Sequence, residues 1–361
     1  MSRVLLLDGP RSLRMEAREP RALGPREVRL RPLVSGISHG TEMSLYRGSS
    51  AFDDRVFDRE LRAFVRRAGG GSSYPATLGY ELVGRVEEIG VQVTEVAVGE
   101  LVHAGAPHGE DVVLDLDVAL HATYPLIALP EDGGPLDRWL FASLGAVALV
   151  ALHDAEVKLG DHVVVVGLGA IGLLAVQMAR MAGAGRITAV DPVAARRELA
   201  QRFGADAVID PGTAEDGAGA LSKRLGGGAD VSIETSGVVG GLHDAVAAAG
   251  LGGRVVAVGF YQGGSTALRL GEEWHHNRLE MISSMGAWGA PHRHYPAWDR
   301  PRVMKTVVDL LATGQLDTEP FPARRFAFDD AIHAYAWLDE HPGEALKVAL
   351  AYDGNTTGGS Q

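Results

Sequence analysis

The chain has 361 residues, which is more than one ordinary hydrophobic core organises, so we expect two domains. Its content of 46% apolar and 22% charged residues is typical of a globular protein, and no apolar run reaches the ~18 residues of a membrane-spanning helix. The net charge of −12 comes without a dense basic cluster, so we expect neither nucleic acid nor membrane as partner. The amino-terminal apolar stretch is too short for a secretory signal, and we expect a cytoplasmic protein.

Cysteine is absent from the chain. Disulfides, a thiolate nucleophile and cysteine-based zinc sites all require this residue. The sequence therefore excludes all three.

The first 133 residues are predicted to form a mostly β unit, a small barrel or sandwich. Short alternating segments such as SRVLLLD, EVRLRPLVSGIS and ELVHAG are separated by Gly, Pro and Asp. Residues 51–73 interrupt this pattern, because Phe57, Leu61 and Phe64 have helical spacing and a GGGSS run follows. We predict an inserted, lid-like helix and loop there.

From residue 134 onward, strand and helix patterns alternate. A long buried helix is predicted for RWLFASLGAVALVALHDAEV, and strands are predicted for HVVVVG, RITAVD, AVID, DVSIET and GRVVAVG, with helical segments between them. This alternation predicts an α/β fold, with a parallel sheet covered on both faces over residues 134–287. Residues 288–353 are predicted to return to the first domain, and the tail 354–361 to be disordered.

A glycine pattern follows the first strand of this sheet. Gly167, Gly169 and Gly172 have the G-x-G-x-x-G spacing, after four valines and at the start of an apolar helix, which is the context of a dinucleotide-binding turn. The first glycine permits the tight turn, the second lets the backbone approach a pyrophosphate, and the third lets helix and strand pack closely. A glycine-rich turn without a ligand is the alternative. The predicted phosphate site comprises Gly167, Leu168, Gly169, Ala170, Ile171 and Gly172.

The predicted cofactor is NAD. Asp191 ends the second strand about 20 residues after the last glycine, where a carboxylate accepts hydrogen bonds from the ribose and repels a 2′-phosphate. Arg196 and Arg197 follow closely and keep NADP as the alternative. Ligands bind beyond the carboxyl ends of such strands. The expected nicotinamide-side residues are therefore Thr235, Ser236, Val258, Gly259 and Phe260.

Three segments resemble the medium-chain dehydrogenase/reductase family. SGISHGTE resembles the family's G-I-C-G-T-D segment, LGYELVGRVEEIG its G-H-E-x-x-G segment, and VKLGDHVVVVGLGAIGLLAVQMARMAGAGRITAVD matches over nearly its whole length. The resemblance covers the chain outside the insertion and the tail. It implies a Rossmann dinucleotide-binding domain, a GroES-like catalytic domain and a homodimer, in which the strand around LEMISSM pairs with its counterpart.

The chain departs from this family at the zinc ligands. The resemblance puts Ser38, Tyr80 and Ser143 at the ligand positions, and neutral hydroxyls are poor zinc ligands. We therefore predict no metal site and a zinc-independent member. The pattern is most similar to the branch that includes the bacteriochlorophyllide hydroxyethyl dehydrogenases.

Without zinc, hydrogen-bond donors must handle the alcohol proton. Tyr80 is the first candidate, as donor in reduction and acceptor in oxidation, and its pKa near ~10 would need lowering for base work at neutral pH. Ser38 and Thr41 are candidates for a proton relay. The usual relay position is Gly40 here, which leaves Thr41 only a neighbour.

Two further residues are candidates in the same segments. His39 is expected to face the cofactor phosphates or the relay, with a surface histidine as the alternative, and Glu81 is expected to orient its neighbours. The competing interpretation is that Tyr80 and Ser38 are ordinary packing. His275, His276, His292 and His294 are interpreted as pocket or interface residues.

The predicted function is an NAD(H)-dependent oxidoreductase that interconverts a secondary alcohol and a ketone on a medium-sized or larger substrate. The alternatives are an enone or quinone reductase, a redox-neutral epimerase or lyase that uses bound NAD, and a nucleotide-binding protein without turnover.

Overall fold

The computed structural model describes residues 1–52, 54–58, 60–67, 73–132, 134–213, 218–262, 268–285, 295–321 and 323–352. The chain forms two units. Unit 1 comprises Met1–Leu140 and Phe321–Gln361, and unit 2 comprises Phe141–Pro320.

The strands, in chain order, are β1 Ser2–Gly9, β2 Ser12–Arg18, β3 Glu27–Ile37, β4 Arg55–Asp58, β5 Ala63–Arg66, β6 Ala76–Thr77, β7 Leu82–Ile89, β8 Leu101–Ala104, β9 Val112–Asp115, β10 Ile127–Ala128, β11 His162–Val166, β12 Arg186–Val190, β13 Ala207–Ile209, β14 Ala229–Glu234, β15 Ala249–Ala257, β16 Glu280–Ser283, β17 Ala323–Ala327 and β18 Lys347–Ala351. The α-helices are α1 Thr41–Arg47, α2 Leu116–Ala119, α3 Ala142–Ala155, α4 Ala170–Met181, α5 Ala194–Arg202, α6 Ala218–Leu225, α7 Val239–Ala248, α8 Glu273–His276, α9 Arg300–Ala312 and α10 Ala331–Glu340. Short 3-10 helices occupy Leu136–Phe141, Pro211–Thr213 and Phe328–Asp330.

Unit 1 is mostly β. Its main sheet has the order β10-β8-β7-β3-β18-β17, with β9 also paired to β3, and β1, β2 and β6 form a smaller sheet. β18 comes from the carboxyl-terminal part of the chain and pairs antiparallel with β3. This pairing places residues of the chain's two ends in one hydrophobic core, where Leu30 and Leu350 are fully buried.

Unit 2 is a parallel sheet with the order β13-β12-β11-β14-β15-β16. Numbered within the unit, this is 3-2-1-4-5-6, the order of a doubly wound dinucleotide-binding fold. The predicted α/β class is confirmed, and the five predicted strands of this sheet occur where expected. The LEMISSM segment contains β16, which lies at the sheet edge. The homodimer stays a prediction.

The predicted return at residue 288 is wrong, because unit 2 extends to Pro320. Helix α9 buries its apolar face within unit 2, where Val307 and Leu311 are fully buried. After α9, the Gln177 side chain donates to the Asp317 carbonyl at 3.0 Å and accepts from the Asp317 N–H at 2.8 Å. These contacts fix residues up to 317 to α4, so the return begins only at Phe321.

The predicted helix in the insertion is wrong as well. β4 and β5 form an antiparallel pair in which Phe57 is opposite Phe64, and their ring centroids are 5.4 Å apart. The helical spacing of these residues is incidental, because a cross-strand aromatic pair stabilises a hairpin instead. Residues 68–72 and the tail from 353 onward, and with them the tail prediction, lie outside the described residues.

The stretch Leu136–Ala155 is 20 residues long and apolar enough to cross a membrane by length and composition, although the sequence analysis expected no such run. In the structure, 56% of its most apolar 18-residue segment is buried inside the protein. α3, which forms most of it, packs on α9 at Gly145, where an added Cβ would lie 2.5 Å from Val307 Cγ1. The burial is that of a core helix.

The Gly145 contact gives a stability prediction. In an ordinary helix, Gly→Ala stabilises by about 1 kcal/mol, but Gly145→Ala should destabilise by about 1–3 kcal/mol, because Val307 is fully buried and β-branched. Urea unfolding measures this difference. The matched double variant Gly145→Ala/Val307→Ala should lose less than the sum of its two single variants, and additive losses would contradict the contact.

Candidate functional site

Two of the three glycines in the turn of unit 2 are required by close packing. Gly167 has φ +86°, and an added Cβ would lie 2.6 Å from the Ser236 nitrogen. At Gly172 a Cβ would lie 1.9 Å from the Gly167 carbonyl oxygen, so α4 could not pack on the turn. At Gly169 a Cβ would meet no atom within 4 Å. The first and third glycines are therefore required by packing, and the second leaves open space beside the N-terminus of α4.

The Gly169 position begins α4 without a side-chain cap. The N–H groups of the first helical turn, which includes Ala170 and Ile171, point along the helix axis and carry a partial positive charge. These residues fit a bound pyrophosphate through the open space and the uncapped donors.

Asp191 links the glycine turn to the second strand of the sheet. One carboxylate oxygen accepts the Leu168 N–H at 2.7 Å, and the other accepts the Val193 N–H at 2.8 Å. The residue is only 4% exposed. The Arg196 guanidinium is 3.9 Å from the carboxylate, and Arg197 bonds to Asp210 at 3.1 Å. Both arginines on which the NADP alternative rested are therefore close to acidic side chains.

The sequence analysis missed Glu234, which contacts several of the residues predicted for the nicotinamide side. Its fully buried carboxylate accepts the Ser236 and Gly237 N–H groups at 2.6 and 3.2 Å, and hydrogen bonds from the Ser236 and Tyr261 hydroxyls. Its carbonyl accepts the Val258 N–H at 2.8 Å. The signal in the sequence is a carboxylate inside an apolar strand, which requires such partners.

Three other predicted residues lie around this carboxylate. The Thr235 hydroxyl donates to the Gly167 carbonyl at 2.6 Å, which ties the end of β14 to the glycine turn. An added Cβ at Gly259 would lie 2.4 Å from the Gly237 Cα. Phe260 follows and is 40% exposed. The structure thus brings the two predicted halves of the dinucleotide site to one edge of the sheet.

In unit 1, the structure brings Ser38 and Tyr80 together. Ser38 follows β3 and Tyr80 precedes β7, two strands that pair with each other. The Tyr80 hydroxyl donates to Ser38 Oγ at 2.5 Å. Ser38 is 6% exposed and Tyr80 is half-buried. Two hydroxyls that were 42 positions apart in sequence therefore form one hydrogen-bonded pair.

The pKa of Tyr80 is raised well above its ordinary value near 10, rather than lowered as base catalysis would need. Burial is the main cause, followed by the nearby Tyr124, Glu81 and Glu42, while the Ser38 hydrogen bond lowers it. Tyr124, which the sequence analysis missed, stacks on Tyr80 with ring centroids 5.0 Å apart and an interplanar angle of 13°. At neutral pH, Tyr80 is therefore a hydrogen-bond donor.

Glu81, the residue after Tyr80, has a charged partner of its own. Its carboxylate forms an ion pair with Lys347 of β18, and the two side chains are 0% and 2% exposed. Burial raises the pKa of Glu81, and Lys347 opposes that effect. An added Cβ at Gly36 would strike the same carboxylate. An orienting effect of Glu81 would therefore act on β3 at Gly36 and on β18 at Lys347.

The other catalytic candidates lie in the turn after β3. His39 is half-buried there, and Thr41 is exposed at the start of α1. Glu42, which the sequence analysis passed over, is 2% exposed and accepts the Ser38 N–H at 2.9 Å. The structure supports a Tyr80–Ser38 pair and provides no hydrogen bond that continues it to Thr41 within the described residues.

Four histidines were considered apart from this site. His275 and His276 are exposed on α8, with ring centroids 5.4 Å apart. His292 and His294 lie outside the described residues. Within the described ranges, no group of three or more His, Asp or Glu side chains is placed to hold a metal ion.

Comparisons with known proteins identify the family. The chain is 34% identical to D-guloside 3-dehydrogenase from Shigella flexneri over 356 residues, which cover 96% of this chain and 99% of that protein. This chain belongs to the zinc-binding, or medium-chain, dehydrogenase family. The family model described as "Zinc-binding dehydrogenase" matches residues 170–300.

Solved structures of the family share the fold. The crystal structure of 2R,3R-butanediol dehydrogenase from Bacillus subtilis has a TM-score of 0.76 and 22% identity, and the match covers 97% of this chain and 99% of that one. A zinc-binding dehydrogenase from Sinorhizobium meliloti 1021, bound to NADP, gives the same four values. At 22% identity these structures show the fold alone and do not fix the cofactor. The 34% identical relative and the family model make the chain an oxidoreductase of the alcohol dehydrogenase type.

The family name implies zinc, but the donor set in unit 1 is a poor match for it. Zinc is bound by thiolate, imidazole or carboxylate groups. Here Ser38 and Tyr80 present neutral hydroxyls that bond to each other, and burial disfavours the tyrosinate. Glu81 is engaged by Lys347.

The Glu81–Lys347 pair gives a second stability prediction. Lys347→Met should destabilise the protein by about 3–5 kcal/mol, because it leaves a buried carboxylate without its cation. Glu81→Gln/Lys347→Met should recover most of this loss, since neither charge then remains. Chemical unfolding of the two single variants and of the double variant measures the three losses of stability. A loss in the double variant equal to the sum of the two single losses would argue against pairing.

Proposed function

We propose that the protein is a zinc-independent, NAD(H)-dependent dehydrogenase that interconverts a secondary alcohol and a ketone. The observation that carries this proposal is the Tyr80–Ser38 hydroxyl pair, at the positions where the family resemblance puts metal ligands. When bound, NAD supplies the hydride chemistry. The protein's own residues then have to hold the substrate oxygen and move its proton.

Tyr80 is the proton donor in the reduction of the ketone. Its raised pKa keeps the hydroxyl protonated at neutral pH, so it can donate to the carbonyl oxygen as negative charge develops there. Ser38 then turns from acceptor to donor and stabilises the tyrosinate oxygen. In the oxidation direction, the same tyrosinate accepts the alcohol proton.

We propose that the substrate is a sugar or glycoside with a ring hydroxyl as the reacting group. The relative at 34% identity, which matches almost end to end, is named for dehydrogenation at position 3 of a guloside. The half-buried Tyr80–Tyr124 stack offers aromatic surface and two hydroxyls, which suits a ring that is apolar on its faces and polar at its rim.

We propose NAD rather than NADP as the cofactor. The Asp191 carboxylate lies at the end of the second strand, where the ribose of the adenosine is bound in this fold. Arg196 and Arg197 have acidic neighbours and are therefore less available to a 2′-phosphate.

The proposed role of Tyr80 predicts a strong loss of activity in Tyr80→Phe and a pH-dependent rate in the wild type. Tyr80→Phe should lower kcat about 10²–10⁴-fold, since it removes the general acid and base, and Ser38→Ala should lower it less. Because the pKa of Tyr80 is raised, the tyrosinate fraction grows about tenfold per pH unit, and the wild-type rate of oxidation should rise steadily from about pH 7 to about pH 9. Steady-state rates on a panel of glycosides, polyols, ketones and enones measure this.

The same samples test the remaining parts of the proposal. Metal analysis should find no stoichiometric zinc, and a chelator should leave the rate unchanged. Activity that depends on zinc would overturn the zinc-independent mechanism. Turnover of enones alone would replace the alcohol–ketone assignment with that of an enone reductase.

The cofactor proposal rests on the charge of Asp191. Wild-type protein should bind NADH more tightly than NADPH in fluorescence titrations. Asp191→Ser should shift the ratio toward NADPH by about tenfold or more, because the repulsion of the 2′-phosphate is lost. Asp191→Asn is the matched control, since it removes the charge but keeps an oxygen acceptor for the Leu168 N–H. A wild-type preference for NADPH would refute this assignment.

A further inference from the structure

A histidine that the sequence analysis did not single out lies behind the Ser38–Tyr80 pair. His108 is fully buried in the loop between β8 and β9. Its N–H donates to the Leu78 carbonyl at 2.7 Å, and its carbonyl accepts the Leu5 N–H at 3.1 Å. The backbone of His108 is therefore fixed on both sides, and its ring position follows from packing.

On one side, His108 reaches Ser38 through Glu42. His108 Nε2 is 3.0 Å from Glu42 Oε2, and Glu42 Oε1 accepts the Ser38 N–H at 2.9 Å. We assign the hydrogen to Nε2 in this contact, because a carboxylate oxygen accepts hydrogen bonds. Loss of this donor would leave a buried carboxylate with fewer partners, and Ser38 is the residue that the carboxylate holds.

On the other side, His108 packs against the residue that precedes Tyr80. Gly79 has φ +107°, and an added Cβ would lie 2.6 Å from the His108 nitrogen and 3.0 Å from ring atoms Cγ and Nδ1. The hydrogen bond from His108 to Leu78 fixes the residue before that. The histidine therefore contacts the local backbone of Tyr80 directly and that of Ser38 through one carboxylate.

Further partners hold the imidazole in place. Nδ1 is 2.7 Å from Ser35 Oγ, which is 3.0 Å from the Tyr352 hydroxyl. The Tyr335 hydroxyl donates to the same Glu42 oxygen at 2.5 Å, and its ring meets the His108 ring at 6.2 Å and 74°. Ser35, His108 and Tyr335 are all fully buried. In a buried network whose polar groups have hydrogen-bond partners, the side chains are held in a single geometry.

We propose that His108 is a positioning residue that holds Ser38 and Tyr80 in hydrogen-bonding register, through Glu42 on one side and Gly79 on the other. This inference rests on the proposed function for its kinetic consequence. An error of about 1 Å in the placement of a reacting group can cost about 10²-fold in rate. His108 itself touches neither substrate nor cofactor in this proposal.

Two substitutions at one position separate positioning from simple core packing. His108→Gln retains a side-chain N–H that can reach Glu42, whereas His108→Leu fills similar space without a donor. His108→Leu should lower kcat about 10²-fold, with little change in KM or in the dissociation constant for NADH. His108→Gln should recover most of that loss.

A second readout does not depend on turnover. Tyrosine labelled at the hydroxyl-bearing ring carbon gives an NMR signal for Tyr80, which Tyr80→Phe identifies by its disappearance. His108→Leu should move this signal at neutral pH, and His108→Gln should return it toward the wild-type position. If His108→Leu does not fold, Ser35→Ala removes the Nδ1 partner of the imidazole, together with the Ser35 contact to Tyr352, and should move the signal the same way by a smaller amount.

The outcomes are distinct. A His108→Leu variant with wild-type kcat and an unshifted Tyr80 signal would overturn the proposal. So would equal losses in kcat and thermal stability for the Leu and Gln variants, which would indicate a packing role alone. Absence of dehydrogenase turnover in the wild type would refute the proposed function instead, and the Tyr80 signal would still decide whether His108 positions the pair.

Discussion

The hydrogen bonds of the buried Glu42 carboxylate link three separate parts of unit 1, and the Ser38–Tyr80 pair is built on them. The carboxylate is almost fully buried, so its charge must be met by hydrogen bonds inside the protein. The donors come from the end of β3, from the loop after β8 and from α10, through Ser38, His108 and Tyr335. These elements are far apart in the chain. One buried carboxylate therefore connects these elements, and it holds the backbone of Ser38, a member of the Ser38–Tyr80 pair.

Unit 2 uses the same physical device twice. Asp191 follows β12 and Glu234 ends β14, the two strands on either side of β11. Each buried carboxylate accepts backbone N–H groups of the loops at that edge. Each carboxylate thereby shapes a ligand-facing loop before any ligand is bound. Preorganised loops lower the conformational cost of binding. The glycine turn is thus held by hydrogen bonds to Asp191 and Thr235, and it leaves open space at Gly169.

Hydroxyls lie at the positions where the family resemblance puts metal ligands, and their acidity is set by the protein environment. A bound zinc would favour the deprotonated form of its ligands. Here burial and nearby acidic groups act in the opposite direction and keep Tyr80 protonated. The pair is therefore suited to giving a proton at neutral pH and to accepting one under more alkaline conditions. The sequence indicated Ser38 and Tyr80 as candidates, but the direction of the pKa shift depends on burial and could not be predicted from it.

Local patterns in the sequence determined the strands of the parallel sheet, the glycine turn and the position of Asp191, because these depend on periodicity and on backbone constraints within about 20 residues. The insertion was misassigned, since the aromatic spacing of Phe57 and Phe64 fits a helix as well as it fits a hairpin. The return to unit 1 was placed too early, because only packing shows which core α9 joins.

Tertiary structure alone decided the partners of the buried charges. Nothing within ten residues of Glu42 indicates that His108 and Tyr335 will meet it, and nothing near Glu81 indicates Lys347. Such pairings are set by which strands become neighbours, as β18 does with β3. The sequence by itself determined the fold class, because that follows from the local alternation of strand and helix patterns, and its family resemblance indicated the kind of chemistry. The structure decided protonation and orientation, because these depend on desolvation and on contacts between distant segments.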